Sequence, residues 1–194
     1  MGLKERVYSV LIVSASDKFN AAVSSLLPES GFFPLRFETN VSSAKRAFAE
    51  RSYDFVIVNS PLPDDTGVRF AIDTVNSKGT VTLLLVRAEL YGEIYGKVAE
   101  HGVFTLSKPV SKIMMSAALG WMASSRERLR KFEQKTLSIE EKMEETRLVN
   151  RAKWLLISEL KMDEPQAHRY IERQAMDRCV MKRQIAEEII KTYL

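Results

Sequence analysis

Tyr53-Asp54-Phe55-Val56-Ile57-Val58-Asn59-Ser60-Pro61-Leu62-Pro63-Asp64-Asp65-Thr66-Gly67 decides the reading of the N-terminal half. Phe55 to Val58 is an apolar run with no polar alternation, which fits a strand buried on both faces and so a parallel sheet. The prolines and Gly67 then mark a loop before the next helix. The same unit recurs on either side. Val7 to Val13 is a β-branched run, and Asp17 to Leu27 carries Phe19, Val23, Leu26 and Leu27 at helical spacing until Pro28 closes it. Leu35 to Glu38 reads as a second strand. Ser42 to Arg51 reads as a helix with Ser42 or Ser43 as its N-cap. Val68 to Asn76 is helical, Val81 to Val86 is the most apolar strand, and Glu93 to His101 is a helix ended by Gly102. Val103 to Leu106 is a fifth strand, followed by Lys108-Pro109. Strands alternating with helices predict an α/β domain with a five-stranded, doubly wound sheet.

The chain changes character near Lys112. From there to Leu194 the only proline is Pro165 and the only glycine is Gly120. Met115, Ala118, Met122, Ser125, Leu129, Phe132, Thr136, Ile139 and Met143 step by three and four, which is a heptad seam. Two readings stand. One is a continuous coiled-coil helix over 113–160, about 70 Å long at 1.5 Å per residue, which needs a partner helix for its stripe. The other is two shorter helices broken near Ser124-Ser125 or Ser138. Asp163 is an N-cap with Pro165 in the first turn, opening a helix over 163–178, and Met181 to Tyr193 is a last helix. Ala167, Tyr170, Ile171 and Ala175, then Ile185, Ile189 and Ile190, supply the stripes of a small all-α, three-helix unit. Expected boundaries are 1–122, 123–145 for the linker helix, and 146–194.

Hydrophobic residues make up 45% and charged residues 28% of the 194, which excludes disorder as the main state. No apolar run reaches membrane-span length, and Met1 to Arg6 opens no secretory core, so the cytoplasm is the expected compartment. Cys179 is the single cysteine, and His101 and His168 lie far apart, so no disulfide and no metal site are expected. There is no GxGxxG and no P-loop, and no cofactor is expected. Through Lys112 there are 13 basic and 12 acidic residues; after it, 16 and 13. That excess permits a nucleic-acid partner for the C-terminal part without requiring one.

The stretch from Tyr53 to Gly67, with Lys108-Pro109, resembles a response-regulator receiver, a flavodoxin-like fold. The match covers about Val7 to Trp121. In receivers the third strand ends in the phosphoacceptor aspartate, a proline follows four residues later and a glycine eight later. Those places hold Asn59, Pro63 and Gly67. The lysine and its proline, whose bond is usually cis in the family, fall on Lys108 and Pro109. The chemistry is not carried over. An amide cannot serve as the nucleophile. The two acids that hold Mg²⁺ fall on Ser14 and Ala15. Leu85, Val86 and Arg87 are the candidates for the hydroxyl position, and the switch aromatic falls on Thr105. The receiver-pocket remnant is therefore Ser14, Ala15, Asn59 and Lys108, in a domain read as a docking platform, with Lys108 held by a polar neighbour. The competing reading makes Asp17, Asp64 or Asp65 a substitute acceptor or ligand.

The C-terminal residues resemble an ANTAR domain. The resemblance is carried by Arg151-Ala152-Lys153, Leu155-Leu156, Asp163-Glu164, Ala167-His168, Arg173 to Arg178, Ile185-Ala186 and Ile189-Ile190. It implies a dimer, joined through the coiled coil, that binds tandem RNA hairpins in a nascent transcript and suppresses termination. A degenerate receiver implies switching by a partner sensor or inhibitor protein. Arg151, Lys153, Arg173, Arg178, Lys182 and Arg183 are the candidate RNA-binding residues. Lys153 and Arg173 are expected on loop bases, and Lys182 and Arg183 on phosphates at a helix start. Arg147 shares a helix face with Arg151, and Arg169 with Arg173. Trp154 stands where the family has a small residue; packing among leucines is the expected role and base stacking the alternative. His168 and Cys179 read as structural, and Met176 as core. No catalysis is implied. The rivals are a DNA-binding response regulator and a purely protein-binding adaptor; the last 55 or so residues hold no glycine for a helix-turn-helix.

Overall fold

The computed structural model describes residues 6–77 and 79–193. Met1 to Glu5, part of the stretch read as lacking a secretory core, lie outside them. The N-terminal unit alternates β1 (Tyr8–Val13), α1 (Asp17–Ser24), β2 (Phe32–Glu38), α2 (Val41–Glu50), β3 (Phe55–Asn59), α3 (Val68–Val75), β4 (Val81–Arg87), α4 (Tyr91–Val98) and β5 (Phe104–Lys108). All strand pairs are parallel, in the order β2-β1-β3-β4-β5. The unbroken apolar runs follow from burial on both faces. Val10, Ile12, Phe55, Ile57, Leu83 and Leu85 pack under α1 and the next helix, α5 (Lys112–Leu160), while Leu11, Val13, Val56, Val58, Leu84 and Val86 pack under α2, α3 and α4.

Gly67 precedes α3 at φ 75°, and a Cβ there would stand 2.7 Å from Val58 Cγ1. Both the backbone and the space admit only glycine. The N-cap of α2 is Asn40, not Ser42 or Ser43; its side chain accepts from Ser43 N–H at 2.8 Å. The reason is non-local. Asp64 reaches over from the β3–α3 loop and accepts from Val41 N–H (2.8 Å), Ser42 N–H (2.9 Å) and Ser42 Oγ (2.9 Å), satisfying the remaining first-turn donors.

Helix α5 runs without a break from Lys112 to Leu160, so the two-helix reading is corrected. Its expected seam is corrected too. Met115, Ala118 and Met122 are buried in the core beneath β1, β3 and β4 and face no partner helix. The exposed apolar line begins instead at Trp121 and continues through Leu129, Phe132, Ile139 and Met143. The start of α5 is also tied down by charge. Asp54 Oδ1 accepts from Arg126 Nε and Arg130 Nη2, both at 2.8 Å, while Oδ2 accepts from Ser9 N–H (3.0 Å) and Oγ (3.1 Å). The Arg130 guanidinium also lies over the Tyr8 ring, 5.2 Å from its centroid.

Contacts divide the chain after Lys131. The second unit holds the rest of α5, then α6 (Glu164–Asp177) and α7 (Lys182–Tyr193). Asp163 caps α6 in a capping box with Gln166, and a proline sits in the first turn. Ala152 and Leu156 of α5, Ala167, Ile171 and Ala175 of α6, and Ile185, Ala186 and Ile189 of α7 form its core. No helix among the described residues is long and apolar enough to cross a membrane.

Candidate functional site

Parallel strands present their carboxyl ends at one edge, and loops from several strands meet there. Ser14 follows β1, Asn59 ends β3 and Lys108 ends β5, so the fold brings these three expected pocket residues together. Asn59 bridges the other two. Its Nδ2 donates to Ser14 Oγ at 3.0 Å, and its Oδ1 accepts from Lys108 Nζ at 3.0 Å. Lys108 also donates to the Ser60 carbonyl. Ser14, Asn59 and Ser60 are buried, and Ala15 is exposed. Burial, and then the nearby Arg87 guanidinium, pull Lys108 below the usual lysine range. The Lys108–Pro109 bond is cis.

An amide thus occupies the centre of this pocket with both polar atoms engaged. Ser14, Ala15 and Asn59 are neutral, and the carboxylate that does end a strand, Glu38 of β2, is paired with Arg36 at 2.7 Å. Asp64 is committed to capping α2, where the Val41 and Ser42 amides hold its carboxyl below the ordinary range. Asp65 Oδ1 accepts from Gly67 N–H at 2.6 Å, and Asp17 opens α1 on the surface. Incubation with acetyl phosphate and Mg²⁺ is therefore expected to leave the protein mass unchanged. One added phosphoryl group on Asp17, Asp64 or Asp65, seen by mass spectrometry, would contradict this.

In the second unit the six candidate cations do not form one patch. Arg151 and Lys153 are two residues apart and so lie about 200° apart around α5. Lys153 is mostly covered and pairs with Glu164 at 3.0 Å. Arg178 holds Glu188 through both terminal nitrogens (2.5 and 2.8 Å), Lys182 holds Glu172 (2.5 Å), and Arg183 holds Glu187 (2.7 Å). Arg173, 83% exposed, is loosely paired with Asp177 at 3.6 Å. Arg169 and Arg173 do share a face and line a surface recess with Tyr170 and Gln166.

Two packing expectations fail here. Trp154 is 71% exposed, because Ala152 and Leu156 turn to the core and put Trp154 on the opposite side of α5. Arg147 and Arg151 precede it by seven and three residues and share that outward side. Met176 is 77% exposed, pointing away from Ile171 and Ala175. His168 lies 3.3 Å from Glu172, and Cys179 is exposed in the turn after α6. Sequence reasoning missed Asp54, Arg126 and Arg130, because no motif links residues separated by 72 and 76 positions.

Comparison with known proteins follows the same division. Residues 138–190 match the ANTAR domain model. The chain is 28% identical over 140 residues to the transcriptional regulatory protein PdtaR of Mycobacterium tuberculosis (strain ATCC 25618 / H37Rv), covering 72% of this chain and 68% of that protein. Among solved structures, the signal receiver domain of an HD domain-containing protein from Pseudomonas fluorescens Pf-5 superposes with a TM-score of 0.57 at 21% identity, over 68% of this chain and 96% of that one. A CheY-like receiver domain protein from Methanospirillum hungatei JF-1 gives 0.54 at 13% identity, over 64% and 98%. The comparisons thus give residues 138–190 as similar to the ANTAR domain and the N-terminal unit the fold of receiver domains.

Proposed function

We propose that this protein is a dimeric, RNA-binding transcription antitermination regulator, acting in the cytoplasm and controlled by a protein bound to its pseudo-receiver rather than by aspartyl phosphorylation. The observation that carries the RNA reading is the outward side of α5 in the ANTAR unit. Trp154 presents an indole to solvent with the Arg147 and Arg151 guanidinium groups beside it. An exposed ring stacks on an unpaired base, and guanidinium groups hold the flanking phosphates, which is how RNA loops are bound. Arg169 and Arg173 on α6 add a second exposed pair. Lys153, Arg178, Lys182 and Arg183 contribute by exchanging carboxylates for phosphates. The exposed line on α5 from Trp121 to Met143 supports the dimer.

A second reading is favoured by spacing. Trp154 lies eleven residues after Met143, which in turn lies eleven after Phe132, a drift of only about 20° per step. On that reading Trp154 extends the dimer line. Trp154→Ala separates the two. For a stacking residue the variant keeps the dimer mass and loses about 1–3 kcal/mol of hairpin affinity. Loss of the dimer in light scattering would place the indole in the subunit interface instead.

A further inference from the structure

A cavity of about 570 Å³ lies between α1, the carboxyl ends of β4 and β5, and the start of α5. Its walls are mainly apolar, lined by Phe19 of α1, Leu26 just after it, Val110 before α5 and Met115 in its first turn. Its polar lining is mainly cationic. Arg87, Lys108 and Lys112 all reach it, against the single acid Glu89. Among the described residues none of these three cations forms an ion pair with a carboxylate. Among the described residues the acceptors of Lys108 are the Asn59 amide oxygen and the Ser60 carbonyl, both neutral. Asn59, being an amide, leaves the Lys108 ammonium without a carboxylate partner beside this largely apolar cavity.

Uncompensated charge beside apolar walls calls for a ligand with both properties. A free phosphate would leave the walls unfilled, and a neutral hydrocarbon would leave the cations unpaired. We propose that this cavity binds a small organic anion, an aryl or branched-alkyl carboxylate, with its apolar body between α1 and α5 and its carboxylate against Arg87 and Lys108. The depressed affinity of Lys108 for its proton agrees with an ammonium group that lacks a counter-charge. The carboxylate supplies that counter-charge, and α5 forms one wall. The pseudo-receiver is then a ligand sensor, and this inference stands independently of RNA binding.

Calorimetry on the full-length chain tests it without RNA. Benzoate, naphthoate and indole acetate are each titrated beside the uncharged amide, with inorganic phosphate as a further arm. At least one arylcarboxylate is expected to bind at one site per chain. Its amide should bind about tenfold to a hundredfold more weakly, because a charge-assisted hydrogen bond is lost. Phosphate should give no heat of binding. Arg87→Ala, at an exposed position, should weaken the carboxylate to a similar degree. Ala22→Trp, on the exposed side of α1 at the cavity rim, should abolish binding with the circular dichroism of wild type. The proposal is overturned if none of the carboxylates binds, if acid and amide bind equally, or if folded Arg87→Ala binds as wild type does.

Discussion

Leu129→Glu combined with Ile139→Lys is expected to convert the proposed dimer to a monomer. Both side chains lie on the exposed apolar line of α5, clear of the receiver core that holds Met115, Ala118 and Met122. In a parallel pair each line residue packs beside its own copy, so each new charge meets an identical charge in a desolvated interface. The cost is about 3–5 kcal/mol per dimer, the scale of an uncompensated buried charge. Neither side chain is part of a buried cluster of the monomer, so helix content should be unchanged. Multi-angle light scattering that still gives the dimer mass would move the interface elsewhere, the surface of α4 with its stacked Tyr91 and Tyr95 being the next to examine.

Asp54→Ala should cost about 2–4 kcal/mol of stability, among the largest effects of any single change in the N-terminal unit. It removes the carboxylate that pairs with Arg126 and Arg130, both largely covered, and leaves the Ser9 N–H without its acceptor. The same group sets a pH dependence. Burial raises the Asp54 pKa, but the Ser9 amide, Arg126 and Arg130 outweigh it and hold the carboxyl below its ordinary value. A depressed folded-state pKa contributes stability that is present above the unfolded value of about 3.9 and is lost as pH falls through the folded value. Urea unfolding at neutral pH and at successively lower pH should show wild type losing this contribution. Asp54→Asn, which lacks it throughout, should show a smaller fall. Equal stability of Asp54→Ala and wild type at neutral pH would contradict the assignment.

The sheet was legible because its strands are buried on both faces. Phe55 to Val58 and Val81 to Val86 cannot alternate, and Gly67 is the one residue that fits a left-handed turn against Val58. The pocket was legible by position, and the bridge from Ser14 through Asn59 to Lys108 follows from residues that share the strand ends. What failed were features whose cause is distant in sequence. The α2 cap shifted to Asn40 because Asp64, from another loop, takes the Val41 and Ser42 amides. The seam pattern of α5 was read correctly as periodic, yet one period serves two different surfaces. Up to Met122 it faces the sheet, and from Trp121 onward a neighbouring line is left exposed. Periodicity reports that a side is apolar but not what covers it. Trp154 was misread for a related reason. Ala152 and Leu156, two residues before and two after it, supply the core, and the indole between them in sequence turns outward.

A single titration tests RNA recognition. The protein is incubated with a pool of RNA hairpins of randomised loop, and the retained hairpins are titrated beside duplex DNA of equal length at two salt concentrations. The account predicts tighter binding to the selected hairpins than to duplex DNA. For those hairpins the salt slope should fall by about 0.7 for each phosphate-contacting cation changed to alanine. Arg173→Ala should lose affinity for the selected loop and little for a scrambled one. Equal or tighter binding to duplex DNA would make the protein a DNA-binding regulator, and retention of neither nucleic acid would leave it a protein-binding adaptor; either result contradicts the account.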